Sequence, residues 1–223
     1  MAKEIIVALA GNPNSGKSTV FNNLTGAHQH VGNWPGVTVE KKEGNYTYHG
    51  YRVRVIDLPG VYSLTARSPD EVVARNFVLE GKPDVVVDIV DASSLERSLY
   101  LTVQLLELEV KLIVCLNIMD FAQSRGYKID TESLARELGV PVVPMVATRR
   151  EGHEELLQKI IHVFEARGTN QKFQLYYGSE LEEHISELEK IITGDEALAR
   201  FPPRWLALKL LEEDSEISGE IGF

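Results

Sequence analysis

The sequence predicts an α/β fold: a mostly parallel six-stranded sheet with one antiparallel edge strand and helices on both faces, followed by a small helical domain. Short β-branched runs alternate with segments of helical period, which is typical of a doubly wound sheet. After residue 168 no strand signal returns, and two Glu-rich helical segments follow, at 180–192 and 203–213. We therefore expect two domains, 1–168 and 169–223.

The individual elements follow from the same pattern. Runs rich in Val, Ile and Tyr predict strands at residues 4–10, 37–48, 51–57, 84–90, 111–117 and 142–146. Apolar residues three or four apart predict helices at 17–25, 69–80, 94–109, 131–138 and 154–166. Only His49 and Gly50 separate the second strand from the third, which is too short for a crossover, so we expect an antiparallel hairpin at one edge.

Charge and composition exclude several classes of protein. The 23 basic and 33 acidic residues give a net charge of −10, which opposes binding to nucleic acid or to an anionic membrane. The single Cys115 lies in an apolar run, which predicts a core position, excludes an intrachain disulfide and fits a reducing compartment. No apolar run approaches the ~18 residues of a membrane span. We expect a cytoplasmic protein, which could still be the soluble part of a membrane protein.

The predicted C-terminal domain carries most of the acidic excess. Residues 169–223 contain five basic and twelve acidic side chains. Two interpretations remain open: a solvated, charged helical hairpin, or a surface that docks on the first domain or on a partner. It is also a candidate surface for self-association.

A glycine-rich loop follows the first predicted strand and precedes the first predicted helix. It reads Gly11-Asn12-Pro13-Asn14-Ser15-Gly16-Lys17-Ser18, with Thr19 next. The spacing fits the G-x-x-x-x-G-K-S phosphate loop, in which glycines let backbone N–H groups and the helix N-terminus face an anion. We expect Lys17 on the β- and γ-phosphates and the Ser18 hydroxyl on Mg²⁺. The loop predicts a nucleoside triphosphate site.

Two further segments suit the γ-phosphate and the metal. Asp57-Leu58-Pro59-Gly60 ends the third predicted strand, so Asp57 is expected to hold Mg²⁺ through water and the Gly60 N–H to sense the γ-phosphate. The segment Val31-Gly32-Asn33-Trp34-Pro35-Gly36-Val37-Thr38 is glycine-rich and weakly structured by pattern. We interpret it as a first switch that contacts the nucleotide through Asn33 and residues 35–38. Thr38 is expected to bind Mg²⁺ and the γ-phosphate.

The base is expected to be guanine. The sequence Asn117-Ile118-Met119-Asp120 lies at a strand end, where the Asp120 carboxylate can accept from guanine N1–H and N2–H₂, groups that adenine does not offer. Ile118 stands where most G-proteins have lysine, so we expect looser binding with unchanged specificity. Val146-Ala147-Thr148 is the expected base-contacting turn, with the Ala147 N–H on guanine O6.

These motifs resemble the cytosolic G domain of the ferrous-iron transport protein B family, over essentially the whole chain. The resemblance rests on the phosphate loop and on four longer stretches. They are Val31-Gly32-Asn33-Trp34-Pro35-Gly36-Val37-Thr38-Val39-Glu40, Asp57-Leu58-Pro59-Gly60-Val61-Tyr62-Ser63-Leu64, Asp91-Ala92-Ser93-Ser94-Leu95-Glu96-Arg97-Ser98-Leu99-Tyr100-Leu101-Thr102 and Phe201-Pro202-Pro203-Arg204-Trp205-Leu206-Ala207-Leu208-Lys209-Leu210-Leu211. It implies a Ras-like P-loop GTPase that converts GTP to GDP and acts as a switch.

The resemblance implies further properties. The helical domain would act as a built-in inhibitor of nucleotide dissociation, and a membrane permease for ferrous iron would follow it, placing the chain at the cytoplasmic face of the cell membrane. Asn14, with the backbone carbonyls of Gly32 and Trp34, matches the K⁺-binding positions of the family. A cation there would stabilise the charge that develops during hydrolysis. Lys17, Asn14, Thr38 and Gly60 are therefore the expected catalytic residues.

Turnover is expected to be slow. Val61 stands where Ras-like enzymes have a water-orienting glutamine, which predicts unassisted rates on the order of 10⁻⁴ to 10⁻² s⁻¹, accelerated by K⁺. The six histidines are scattered and form no ligand set for iron. The alternatives are a soluble ribosome-assembly or tRNA-modification GTPase, which the acidic C-terminal domain disfavours, and a nucleotide-binding module without hydrolysis.

Overall fold

A seven-stranded sheet forms the centre of the computed structural model, which describes residues 3–26, 28–166 and 174–222. Its order is β2-β3-β4-β1-β5-β6-β7. The strands are β1 (Lys3–Gly11), β2 (Gln29–Asn33), β3 (Glu40–Tyr48), β4 (Tyr51–Asp57), β5 (Val85–Asp91), β6 (Leu112–Asn117) and β7 (Val142–Pro144). The pairs β1·β4, β1·β5, β5·β6 and β6·β7 are parallel. The predicted fold class is confirmed.

The edge of the sheet differs from the prediction in one strand. The expected antiparallel hairpin is present, with Tyr48 opposite Tyr51 in the β3–β4 pair. Its partner β2 was not predicted, so the sheet has seven strands and not six. The strand predicted at 37–48 begins only at Glu40, because the residues before it form the turn that joins β2 to β3.

The helices cover both faces of the sheet. They are α1 (Lys17–Thr25), α2 (Pro69–Glu80), α3 (Leu95–Glu107), α4 (Met119–Ser124), α5 (Thr131–Leu138), α6 (His153–Glu165), α7 (Ser179–Thr193), α8 (Pro203–Leu211) and α9 (Ser215–Ile221). Sequence patterns missed α4 and α9, which are too short to show a clear period. None of the helices in the described ranges is both long and apolar enough to span a bilayer.

Alternating residues of the strands divide the core into two layers. One layer joins inward residues such as Val7, Leu9 and Cys115 to α1 and α6. Cys115 is fully buried, as predicted. The other layer contains Ala8 and Val114 and continues without a break into the C-terminal helices.

The C-terminal helices dock on this second layer. Trp205, 1% exposed, and Ile185, fully buried, belong to the same hydrophobic cluster as the sheet. A buried ion pair joins Arg75 of α2 to Asp214, at 3.2 Å. Docking on the first domain is therefore the better of the two interpretations of this acidic segment. The boundary predicted at 168/169 lies outside the described residues, so the two-domain division remains a proposal.

Candidate functional site

The carboxyl ends of four neighbouring strands bring the predicted motifs to one edge of the sheet. Gly11 ends β1, Asp57 ends β4, and Asn117 ends β6. Leu9 lies opposite Asp57, and Asp91 lies opposite Asn117. Ligands of open α/β sheets bind at this edge, so the topology alone assembles the cleft.

Close packing explains the two glycines of the phosphate loop. A Cβ at Gly11 would lie 2.7 Å from the Ile89 carbonyl oxygen, and a Cβ at Gly16 would clash with the Asn117 side chain. Gly16 has φ 87° and is the N-cap residue directly before α1, so the backbone turns tightly enough to aim the helix N-terminus at the cleft. The exposed Asn14 also has a positive φ, 67°.

The phosphate end of the cleft contains a buried charge pair. Lys17 Nζ contacts the Asp57 carboxylate and donates to the Leu58 carbonyl oxygen at 2.6 Å. Lys17 is 9% exposed and Asp57 is 7% exposed. The lining residues are Lys17, Ser18, Val39, Glu40, Lys42, Asp57, Leu58, Pro59, Gly60 and Asp70. Because the Ser18 hydroxyl and the Asp57 carboxylate are hard oxygen donors at one cleft, they fit Mg²⁺.

The base end is joined to the phosphate loop by one buried side chain. Asn117 Nδ2 donates to the Ser15 carbonyl oxygen at 2.9 Å, and Asn117 Oδ1 accepts from the Ala147 N–H at 3.0 Å. Asn23 of α1 donates to the Ala147 carbonyl oxygen at 2.7 Å. Both polar groups of the Ala147 backbone are thus engaged by asparagines.

This arrangement bears on the prediction for the Ala147 N–H, which in this conformation has a partner within the protein. Because Asn117 Oδ1 already accepts from it, this amide is not free to donate to guanine O6. The neighbouring Thr148 is exposed and also lines the base end. The predicted turn at 146–148 lines this end of the cleft, and its contact with a base remains a prediction.

Asp120 lies at the base end, which is lined by Gly16, Thr19, Asn117, Ile118, Asp120, Phe121, Val146, Ala147 and Thr148. Its Oδ1 accepts from the Phe121 N–H at 2.9 Å. Its Oδ2 lies 3.3 Å from Arg149 Nη2, a contact that the sequence did not indicate. Ile118 has φ 63°, unusual for a β-branched residue and typical of a functional turn.

The segment predicted to be the first switch is part of a β-hairpin and not the weakly structured loop that the sequence indicated. Gly32 lies in β2 opposite Lys41 of β3. The Trp34 N–H donates to the Val39 carbonyl oxygen at 2.9 Å, and the Trp34 carbonyl oxygen accepts from the Val37 N–H at 3.3 Å. The Trp34 ring packs edge-on against Phe77 of α2, with centroids 5.3 Å apart.

The switch residues are not gathered at the phosphate end. Asn33 and residues 35–38, including Thr38, are exposed. Within the described chain, the β3 side of the phosphate end is formed by Val39, Glu40 and Lys42. Thr38 is therefore not assembled with Ser18 and Asp57 in this conformation, and the Gly32 and Trp34 carbonyls belong to the hairpin.

Val61 has a structural role. Its N–H donates to the Gly11 carbonyl oxygen at 3.3 Å, and its side chain is 5% exposed in the core beside Leu58 and Leu64. The residue after Gly60 therefore fixes the phosphate loop and cannot orient a water molecule.

A buried carboxyl lies below the phosphate loop. Asp88 of β5 pairs with Ala10 of β1, and its Oδ2 accepts from the Thr102 hydroxyl at 2.6 Å. Burial raises the pKa of Asp88 to about 7, although the Thr102 hydrogen bond opposes this shift. Sequence patterns did not single out Asp88, because an acidic residue within a buried strand carries no motif.

Comparison with known proteins places the chain in context. The model of the family "Ferrous iron transport protein B" matches residues 5–160, and that of the "FeoB cytosolic helical domain" matches residues 177–223. The Fe(2+) transporters FeoB of Shigella flexneri and Escherichia coli (strain K12) are each 44% identical over 217 residues, which cover 95% of this chain. The chain spans 27% of the length of these relatives.

Solved structures show the same architecture. The cytosolic domain of the T. maritima FeoB iron transporter matches with a TM-score of 0.93 in a GDP form, at 44% identity, covering 98% of this chain and 85% of that one. Its GMPPNP form matches at 0.92 and 45% identity, covering 97% and 84%. The cytosolic domain of L. pneumophila FeoB matches at 0.87 and 40% identity, covering 96% and 84%.

Proposed function

The chain belongs to the ferrous iron transport protein B family, and we propose that it binds and slowly hydrolyses GTP as the regulatory part of a ferrous-iron membrane transporter. The observation that carries this proposal is the Asn117 side chain, which bonds to Ser15 of the phosphate loop and to Ala147 at the base end and so fixes the two ends beside each other. The transport itself would belong to a membrane permease C-terminal to this chain, with the cleft at the cytoplasmic face of the membrane.

The phosphate end supports the binding of a triphosphate. Lys17 would exchange its contact with Asp57 for the β- and γ-phosphates, and Ser18 and Asp57 would hold Mg²⁺, which neutralises charge on the phosphates. The Gly60 N–H would donate to the γ-phosphate. Thr38 would have to leave its exposed turn to join them. Such a rearrangement of a loop on triphosphate binding is expected of a switch segment.

The base end supports a preference for guanine. The two Asp120 oxygens can accept from N1–H and N2–H₂, whereas adenine would leave the carboxylate unpaired. The Thr148 N–H takes the role of donor to O6, because the Ala147 N–H is engaged. Ile118 covers the base with an apolar side chain in place of the usual lysine stem.

Hydrolysis develops negative charge on the transferred phosphoryl group, and Val61 can neither orient the attacking water nor stabilise that charge. We assign that role to K⁺ held by the Asn14 side chain and the carbonyls of Gly32 and Trp34, once the first switch has rearranged. A cation there would stabilise the charge that develops on the transferred phosphoryl group. Asn14 is exposed within the phosphate loop, where such an ion could enter.

The docked helices support a role in nucleotide release. Arg75 lies on α2, the helix that follows the Asp57–Gly60 segment, and its partner Asp214 precedes α9. A movement of α2 would therefore change a buried ion pair at the C-terminal helices. We propose that these helices slow nucleotide dissociation by holding α2 in place.

The test is single-turnover hydrolysis of GTP in matched KCl and NaCl series. We expect hydrolysis in KCl to exceed that in NaCl by roughly an order of magnitude or more, and Asn14→Ala to remove the difference while leaving GDP affinity nearly unchanged. Asn45→Ala, a substitution in β3, is the matched control and should retain the K⁺ response.

The outcomes separate the parts of the proposal. No hydrolysis in either salt would contradict the GTPase assignment. Equal rates in KCl and NaCl would contradict the K⁺ assignment alone, and an unchanged K⁺ response in Asn14→Ala would remove Asn14 from the ion site.

A further inference from the structure

A second lysine faces the phosphate end of the cleft. Lys42 of β3 lies directly opposite Asp57 of β4 in the antiparallel pair, and directly opposed residues project from the same face of a sheet. Lys42 and Asp57 line the same cleft with Lys17 and Ser18. No phosphate-loop motif calls for this residue.

The side chain of Lys42 is held by its neighbour two residues earlier. Lys42 Nζ lies 2.8 Å from Glu40 Oε1, and Glu40 also lines the cleft. The hydrogen bond to Glu40 raises the pKa of Lys42, and the Asp57 charge adds to this in spite of partial burial. Lys42 is therefore a permanent positive charge beside the carboxylate that fits Mg²⁺.

Lys17 and Lys42 differ in whether a bound nucleotide would move them away from Asp57. Phosphates give Lys17 a new partner, so Lys17 can leave Asp57 without loss of charge pairing. The β3 backbone keeps Lys42 opposite Asp57, and Glu40 is the partner that partly neutralises it. The charge of Lys42 therefore continues to act on whatever cation Asp57 binds.

We propose that Lys42 and Glu40 form a charge pair that sets the Mg²⁺ affinity of the nucleotide-bound protein, with Lys42 lowering it and Glu40 raising it. This inference rests on the proposed function, because it requires a nucleotide in the cleft. The Lys42 charge repels a cation at Asp57, whereas Glu40 holds the ammonium group and partly neutralises it. Both side chains are partly exposed, so solvent moderates the effect.

The pair should matter most after hydrolysis. GDP supplies less negative charge to Mg²⁺ than GTP does, so the opposing charge of Lys42 is a larger fraction of the balance in the GDP state. Loss of Mg²⁺ would then loosen the diphosphate. Lys42 therefore acts on the nucleotide indirectly, through the metal. By weakening Mg²⁺ binding in the GDP state, it favours release of GDP.

The experiment measures dissociation of a fluorescent GDP analogue over a wide range of free Mg²⁺, in Lys42→Gln, Glu40→Gln and a control. We expect the Mg²⁺ midpoint to fall roughly three- to tenfold in Lys42→Gln and to rise by a similar factor in Glu40→Gln. The control is Lys41→Gln, which makes the same change of charge one residue away. Lys41 pairs with Glu43 at 3.2 Å and should leave the midpoint within about twofold.

Opposite shifts in the two variants are the signature of the charge pair. Unchanged midpoints, shifts of the same sign, or an equal shift in Lys41→Gln would overturn the inference. Failure of the unsubstituted protein to bind GDP would instead contradict the proposed function. GDP affinity in EDTA, expected to be similar in all variants, checks that each of them is folded.

Discussion

The phosphate loop and the first switch border the same cleft but are built in opposite ways. The loop is cross-linked through buried side chains: Lys17 and its partner Asp57 are less than 10% exposed, and Asn117, 3% exposed, bonds to Ser15. In the switch, residues 35–38 are exposed, and the Trp34 ring fixes the segment to α2. On the proposed function, the backbone of the phosphate loop is thus in place beforehand, whereas Lys17 would exchange its partner and the switch residues would have to move.

The largest expected effect comes from breaking the cross-link of the loop. Asn117→Ala would leave the Ser15 carbonyl and the Ala147 N–H without their buried partner, which costs roughly 2–5 kcal/mol for two lost hydrogen bonds. We expect the affinities for GDP and for a non-hydrolysable GTP analogue to fall together, because both ligands use the loop. Titration with fluorescent nucleotides measures both.

Asn23→Ala is the matched control for this substitution. It removes only the bond to the Ala147 carbonyl oxygen, so the loss should be roughly 1 kcal/mol. If Asn117→Ala lost affinity for the GTP analogue but not for GDP, the contrast between the loop and the switch would fail. The loop itself would then be sensitive to the γ-phosphate.

The same contrast explains how far the sequence could predict the site. The sequence could place the loop, Asp57 and Asn117 at one edge of the sheet because each motif is fixed to a strand end, where the topology leaves little freedom, and their contacts with a nucleotide remain predictions. The switch hairpin was missed because Gln29–Asn33 lacks an apolar pattern and all but one of its residues are exposed. Pairing with β3 makes it a strand, and that tertiary effect overrides local propensity.

The other contacts that the sequence did not indicate involve individual side chains and one backbone amide. The Ala147 N–H is predicted to contact the base, and the sequence cannot show that Asn117 Oδ1 accepts from it in this conformation. Arg149 and Lys42 carry no motif, and they matter only because folding places them against Asp120 and Asp57. Sequence patterns could not predict side-chain contacts whose partner is distant in the sequence.

Substitution of Asp88 gives the next largest effect. It tests whether the stability of the part of the sheet below the phosphate loop depends on pH. Its folded pKa of about 7 lies above the ordinary value of 3.8, so the folded state binds the proton more tightly than the unfolded state. Stability from this group is therefore full at low pH, falls as pH rises between about 4 and about 7, and levels off above. Asp88→Asn should remove this decline, raising stability at pH 8 relative to pH 5 by roughly 1–3 kcal/mol compared with the unsubstituted protein.

Urea denaturation at the two pH values measures the difference. Thr102→Val is the companion variant: it removes the hydroxyl that stabilises the carboxylate, so it should steepen the decline. An identical pH dependence in Asp88→Asn and the unsubstituted protein would show that Asp88 does not titrate in this range.

Trp34→Ala gives the smallest effect and acts on the switch alone. The edge-on contact with Phe77 holds the hairpin conformation, and an aromatic pair of this kind contributes about 1 kcal/mol. Removing the ring lowers the cost of leaving the hairpin while keeping the Trp34 carbonyl. We expect the affinity for a GTP analogue to rise roughly fivefold relative to that for GDP, since a population shift can be no larger than the contact that opposes it. Phe77→Ala should give the same ratio, and the double variant should add nothing; equal loss of both affinities would instead make Trp34 part of the binding cleft.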